Sequence, residues 1–209
     1  TAGAITSERE RQTFDLLKTT LLTPTALIFG KLGSAIAYLI LLIFATLPIQ
    51  SLAFLLGGVG LSEIVISSIL LLVSAVFFCT LGLFFSNIFK RTLAATVTSY
   101  GSILFSVFAL VFFIFGLAIM DSLFYNNSST ASANLAMAGI WIIVCTNPIL
   151  TAIFSEMILI EEQSAFYASS SFMGYGSFGL LSPWIVFSIV YLTLTMMLIA
   201  ASIWLVKRP

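Results

Sequence analysis

The sequence predicts an all-α, polytopic transmembrane bundle of four spanning helices. An amphipathic cytosolic helix precedes them, and short re-entrant helices lie on the outer side. Three observations carry this. Apolar residues make up 60% of the 209, with 20 Phe, and charged residues only 8%; soluble domains carry roughly 25% charged residues and cannot hide that much apolar surface. Four segments are long enough to cross roughly 30 Å of hydrocarbon at about 1.5 Å per residue. All Lys and Arg residues fall on one side of the resulting topology.

The first element is SERERQTFDLLKTTLL, residues 7–22. Ser7 and Glu10 have capping-box spacing, so a helix is expected from Glu8 to about Leu22. Phe14, Leu17 and Leu21 repeat at i, i+3, i+7 and form an apolar stripe, with Glu8, Arg11, Asp15 and Lys18 mostly off it. This is the pattern of a membrane-surface helix with a charged nose. Basic residues alone would suit an anionic leaflet. The interleaved Glu8 and Glu10 suit a protein partner better, because complementary charge sets register.

The spans follow at about 26–47, 63–86, 93–119 and 184–206. Pro48 is expected to end the first. Ser62 is expected to cap the second, with Glu63 at its positive end and Lys90-Arg91 after its negative end. Ser182 caps the last, with Pro183 at its first position and Trp184 and Trp204 near the interfaces. The segment 135–160 is long enough to span, but Asn147-Pro148 breaks it. It is expected to form two half-helices dipping in from outside. The stretches 126–134 and 168–179 read as polar or glycine-rich loops.

This layout makes 1–209 one membrane domain. It comprises a cytosolic amphipathic helix (1–25), three spans (26–119), an outer segment with half-helices (120–183), and the last span with a cytosolic end (184–209). The cytosolic pieces then hold Arg9, Arg11, Lys18, Lys31, Lys90, Arg91, Lys207 and Arg208, which are all 8 basic residues. The outer pieces hold Glu63, Asp121, Glu156, Glu161 and Glu162. Both ends of the chain are therefore expected in the cytosol.

Several chemistries find no support. The chain has no His and two Cys, so a metal site is not expected. Cys79 and Cys145 fall in opposite halves of the layout and are not expected to pair. Gly30-Lys31 is not a phosphate loop, because residue 25 is Thr and residue 32 is Leu. No charged residue lies deep in a span, which argues against an ion-coupled carrier. No nucleophile–base pair is visible, and the outer acidic cluster reads as solvation. Thr96, Ser99 and Ser102, and Ser188, Tyr191 and Thr195, form weakly polar stripes. They are candidates for lining a substrate path, against the plainer reading of interhelical packing with local hydrogen bonds.

Glu8-Arg9-Glu10-Arg11, Thr13, Leu16-Leu17, Thr20, Pro24 and Gly30-Lys31 together resemble the coupling-helix region of type-2 ATP-binding-cassette permeases. The likeness covers about 25 residues closely and the rest in hydropathy layout. Family members usually have Gly where this chain has Gln12, a better helix former. The resemblance implies the membrane-spanning subunit of an ATP-driven exporter in a plasma membrane, as in a prokaryotic inner membrane. It implies no catalytic residue and no cofactor of the chain's own, since ATP would be bound by a separate cytosolic ATPase subunit. Its partners would be that ATPase, a second permease copy or homologue in a dimer, and membrane lipid; nucleic acid is not among them. Glu8, Arg9, Glu10 and Arg11 would dock the ATPase, and Phe14, Leu16, Leu17 and Leu21 would pack the helix on the membrane domain. Two further spans would precede residue 1. A lipid-modifying membrane enzyme and a static subunit of a membrane complex stay open as alternatives.

Overall fold

A computed structural model describes residues 1–13, 23–124, 141–162, 164–169 and 179–207. The described elements run in the order α1 (Thr6–Glu10), α2 (Pro24–Leu55), α3 (Leu61–Ile88), α4 (Thr92–Phe124), α5 (Pro148–Glu162), β1 (Tyr167–Ser169), β2 (Gly179–Leu181) and α6 (Pro183–Lys207). Among the described residues, three helical stretches are long and apolar enough to cross a membrane: Thr25–Leu55, Leu61–Ile88 and Pro183–Val206. The chain is thus a multi-pass membrane protein. Helix α4 has 33 residues and is apolar over Thr92–Phe108. Only 6% of the apolar window of α2 is covered by protein, and Phe29, Leu41, Phe44 and Leu52 stand exposed on it.

Several element boundaries differ from the sequence expectation. Helix α2 does not stop at Pro48 but carries it inside and continues to Leu55. In hydrocarbon, ending a helix strands several backbone groups, whereas an internal proline removes one hydrogen bond, so continuing costs less. Ser62 does not cap α3. Its first helical bond goes to the Gly60 carbonyl, from Ile64 N–H at 3.2 Å. Glu63 then reaches back to accept from Gly60 N–H at 3.1 Å, half of a capping box. The two ends of the expected loop at 168–179 lie in a two-stranded antiparallel sheet, pairing Tyr167 with Leu181 and Ser169 with Gly179; residues 170–178 lie outside the described residues. Helix α6 begins at Pro183, as expected.

The chain divides into two compact units. The first comprises 1–58, 71–103 and 191–209. Its core is Ile5, Ile28, Leu32 and Leu83, with Ile36, Cys79, Ile199, Ile203 and Val206 packed on them. Phe77 and Tyr191 pack ring to ring with centroids 4.5 Å apart. Gly82 leaves room for the amino-terminal segment, since a Cβ there would lie 2.9 Å from Thr1 Oγ1.

The second unit comprises 59–70 and 104–190. Trp141, Cys145 and Ile158 form its cluster, with Val186 against it. A helical turn at 141–144 breaks at Thr146-Asn147, and α5 restarts at Pro148. The break falls where the Asn-Pro pair places it. Asn147, fully buried, accepts from the N–H groups of Ile149 (3.0 Å) and Leu150 (3.2 Å) and so caps α5. Its amide donates to the Val107 carbonyl of α4 at 2.7 Å. The 15 residues of α5 make roughly 22 Å of helix, short of a full crossing. The Trp184 indole donates to the Ala165 carbonyl at 2.7 Å. Both cysteines are free thiols.

Candidate functional site

The expected helix over 8–22 has its described part in α1, which covers only Thr6–Glu10. Ser7 lies inside it rather than capping it, and the residue before the helix, Ile5, offers no side-chain cap. The two leading N–H groups are satisfied from outside instead. Ser86 of α3 accepts from Ile5 N–H at 2.8 Å and Thr6 N–H at 3.0 Å. All three residues are fully buried, so Ser86 replaces water that those donors have lost.

The helix ends in a Schellman motif. Gln12 N–H donates to the Arg9 carbonyl (3.1 Å) and Thr13 N–H to the Glu8 carbonyl (3.0 Å). This closure needs a left-handed residue, and Gln12 holds φ at 58°. The helix propensity of Gln12 is therefore irrelevant: the residue sits just past the helix end, in a conformation glycine adopts freely.

The charged residues then fasten the segment to the ends of neighbouring helices. Glu8 pairs with Lys31 of α2 at 2.7 Å, and Lys31 also donates to the Ala4 carbonyl. Arg9 donates to the carbonyls of Asn87 (3.1 Å) and Phe89 (3.4 Å), at the negative end of α3. Glu10 accepts from Thr92 N–H at 2.7 Å and from its hydroxyl at 2.9 Å, at the positive start of α4. The Thr92 N–H donor, helped by its hydroxyl and by the charge of Arg91, holds the Glu10 carboxyl below its ordinary value. Asn87 donates from its side chain to the Ser202 carbonyl of α6 at 3.4 Å. One elbow thus touches the starts of α2 and α4 and the end of α3, which itself holds the end of α6. Arg11, Lys90 and Arg91 are exposed.

Of the four residues expected to dock a partner, Glu8, Arg9 and Glu10 are engaged within the chain and Arg11 is exposed. Phe14, Leu16, Leu17, Leu21 and Lys18 lie outside the described residues. The candidate path-lining hydroxyls bond to their own helices. Thr96 donates to Thr92 O (2.9 Å), Ser99 to Ala95 O (2.7 Å), Ser102 to Ser99 O (2.8 Å), Ser188 to Trp184 O (2.7 Å) and Thr195 to Tyr191 O (2.7 Å). Ser99, Tyr191 and Thr195 are buried. Sequence reasoning missed Ser86 and Asn87. Their signal was there: adjacent polar residues closing a helix that is otherwise almost entirely apolar.

No protein-family model, no curated protein and no solved structure matches this chain. Among the described residues, no group of three His, Cys, Asp or Glu side chains could hold a metal ion.

Proposed function

We propose that the chain is the membrane-spanning subunit of an ATP-driven exporter, with four crossings in this segment and both of its ends cytosolic. The observation that carries the reading is the elbow: a short charged segment wired to the starts of α2 and α4 and the end of α3. A push on such a segment moves several spans together, which is what coupling to a cytosolic ATPase requires. The contacts also argue for the topology. The start of α2 and the ends of α3 and α6 gather around one core, and the start of α4 joins it through Glu10; Arg9, Lys31, Lys90 and Arg91 belong to these pieces, so this end is read as the cytosolic one by the positive-inside rule. In this reading α4 leaves that end and α6 returns to it, which supplies two of the four crossings.

The elbow geometry redistributes the roles within this proposal. Glu8, Arg9 and Glu10 transmit force into the bundle. The outward-facing contact with the ATPase falls to Arg11, Lys90 and Arg91. One observation favours a second reading, a static subunit of a membrane complex: three of the four charged residues already have partners inside the chain. The test is the triple variant Arg11→Glu, Lys90→Glu, Arg91→Glu, made in the full-length protein and purified with its cytosolic ATPase. The exporter reading expects loss of the ATPase, or of ATP hydrolysis stimulated by the membrane subunit, by at least about tenfold, as for truncation of interfacial charges. Full retention of both would leave the static-subunit reading in its place.

A further inference from the structure

The start of α3 and the middle of α5 border an open cavity of ≈ 100 Å³ within the second unit, lined among others by Glu63, Ile66, Ser67, Leu70, Ser155 and Glu156. This is room for about three waters, or for a charged head group and two or three carbons. Its polar groups are unusual in one respect. Ser155 is 2% exposed and its hydroxyl has no hydrogen-bond partner. A buried hydroxyl left this way carries a desolvation cost that a ligand atom would remove. Ser67 already donates to the Ile64 carbonyl at 3.1 Å, so it can offer only acceptor lone pairs to a guest. Glu63 accepts from Gly60 through one oxygen, Oε2. Glu156 is exposed at the cavity rim.

The donor set selects the guest. Two carboxylates and two hydroxyls are acceptors for a cation with several N–H donors. Ile66 and Leu70 on the wall suit a hydrocarbon neighbour, which a calcium ion, coordinated by oxygens alone, would not use. A primary ammonium group has three donors on a carbon stem. We propose that this cavity binds a protonated primary amine on an apolar stem, its nitrogen held by Glu63, Glu156 and Ser155. The inference stands independently of the exporter reading. The amine could be the head group of an aminolipid or a small soluble alkylamine; the chemistry at the cavity is the same, and the experiment separates the sources.

The full-length protein in phosphatidylglycerol nanodiscs is titrated with n-butylamine at neutral pH, where it is protonated, and with n-butanol as the uncharged counterpart. Butylammonium is expected to bind at least about tenfold more tightly than butanol, the share expected of hydrogen bonds to a charged group. Glu63→Gln with Glu156→Gln is expected to abolish that preference. Glutamine keeps the cap on Gly60, so α3 stays intact in this variant. Ser155→Ala is expected to weaken butylammonium severalfold and leave butanol unchanged. In mixed nanodiscs, native mass spectrometry showing retained phosphatidylethanolamine over phosphatidylcholine assigns the site to lipid; equal retention with butylammonium binding assigns it to a soluble amine. Equal affinity for butylammonium and butanol, binding of neither, or a preference that survives the double Gln variant would overturn the proposal.

Discussion

The amino-terminal elbow and the cavity beside α3 and α5 are both built from glutamates and serines, yet their polar groups behave differently. In the elbow, Ser86 accepts two buried N–H groups, Glu10 caps α4, and Glu8 pairs with Lys31. In the cavity, Ser155 is just as buried but has no partner. The elbow's polar groups hold the fold together. In the cavity, Glu63 and Ser67 each serve α3, but the Ser155 hydroxyl holds nothing. The lesson reverses a natural reading of the sequence. The interleaved charges of Glu8–Arg11 advertise an external partner but are mostly satisfied internally, while Glu63, which reads as a helix-start charge, and Glu156, which reads as ordinary solvation, border a cavity.

A large effect is expected at Asn147, which shows what a satisfied polar group contributes within the cavity's own unit. Asn147→Ala removes the cap on α5 and leaves the Val107 carbonyl without its side-chain donor. The loss is expected to be about 1.5–2.5 kcal/mol, a cap of roughly 1 kcal/mol plus the net contribution of one hydrogen bond. Thermal unfolding in detergent, followed by helicity, measures it. A change below about 0.5 kcal/mol would mean that α5 is held by packing alone, and the contrast between satisfied and unsatisfied groups would lose its energetic basis.

A smaller effect sharpens the elbow side. Helix α2 closes with the same motif as α1: Gly57 N–H donates to Phe54 and Gly58 N–H to Ala53, with Gly57 at φ 73°. The two ends differ in the residue that takes the left-handed position, glycine in one and Gln12 in the other. Gln12→Gly is expected to stabilise the elbow by about 1 kcal/mol and Gly57→Ala to destabilise α2's end by a similar amount, because a Cβ is disfavoured in that conformation. Amide hydrogen exchange at Arg11–Thr13 and at Leu56–Gly58 reads both. Faster exchange in Gln12→Gly would mean that the Gln12 side chain, not its backbone, matters there.

Much of the fold was legible because hydrocarbon imposes a simple rule. Stretches of about twenty apolar residues must be helical, and three of the expected spans appear as helices long and apolar enough to cross. The Asn147-Pro148 break was equally legible, since proline disfavours a helical residue before it. The ends were not. Pro48 reads as a terminator by rules learned in water, where an unwound turn can hydrogen-bond to solvent; α2 ignores it. Ser7 and Ser62 have the spacing of caps, but the caps come from Ser86, sequence-distant, and from Gly60. The elbow's partners were hidden for the same reason. A pairing such as Glu10 with Thr92 depends on two helix ends meeting, and no local pattern encodes that meeting. Periodicity also cannot show that the Ser155 hydroxyl makes no bond back onto its own helix, whereas those of Ser99 and Thr195 do.

The most direct test of the contrast uses its two serines. Ser86→Ala and Ser155→Ala remove the same atom from equally buried sites, one with partners and one without. Hydrogen exchange and thermal unfolding are measured on both variants in the same detergent. Ser86→Ala should release the amides of Ile5 and Thr6, accelerate their exchange by at least about tenfold, and destabilise the protein, since each orphaned buried N–H costs on the order of 1–3 kcal/mol. Ser155→Ala should leave exchange in α5 unchanged and stability equal or slightly higher, because it removes a polar atom that had no partner. Equal destabilisation by the two substitutions would contradict the account.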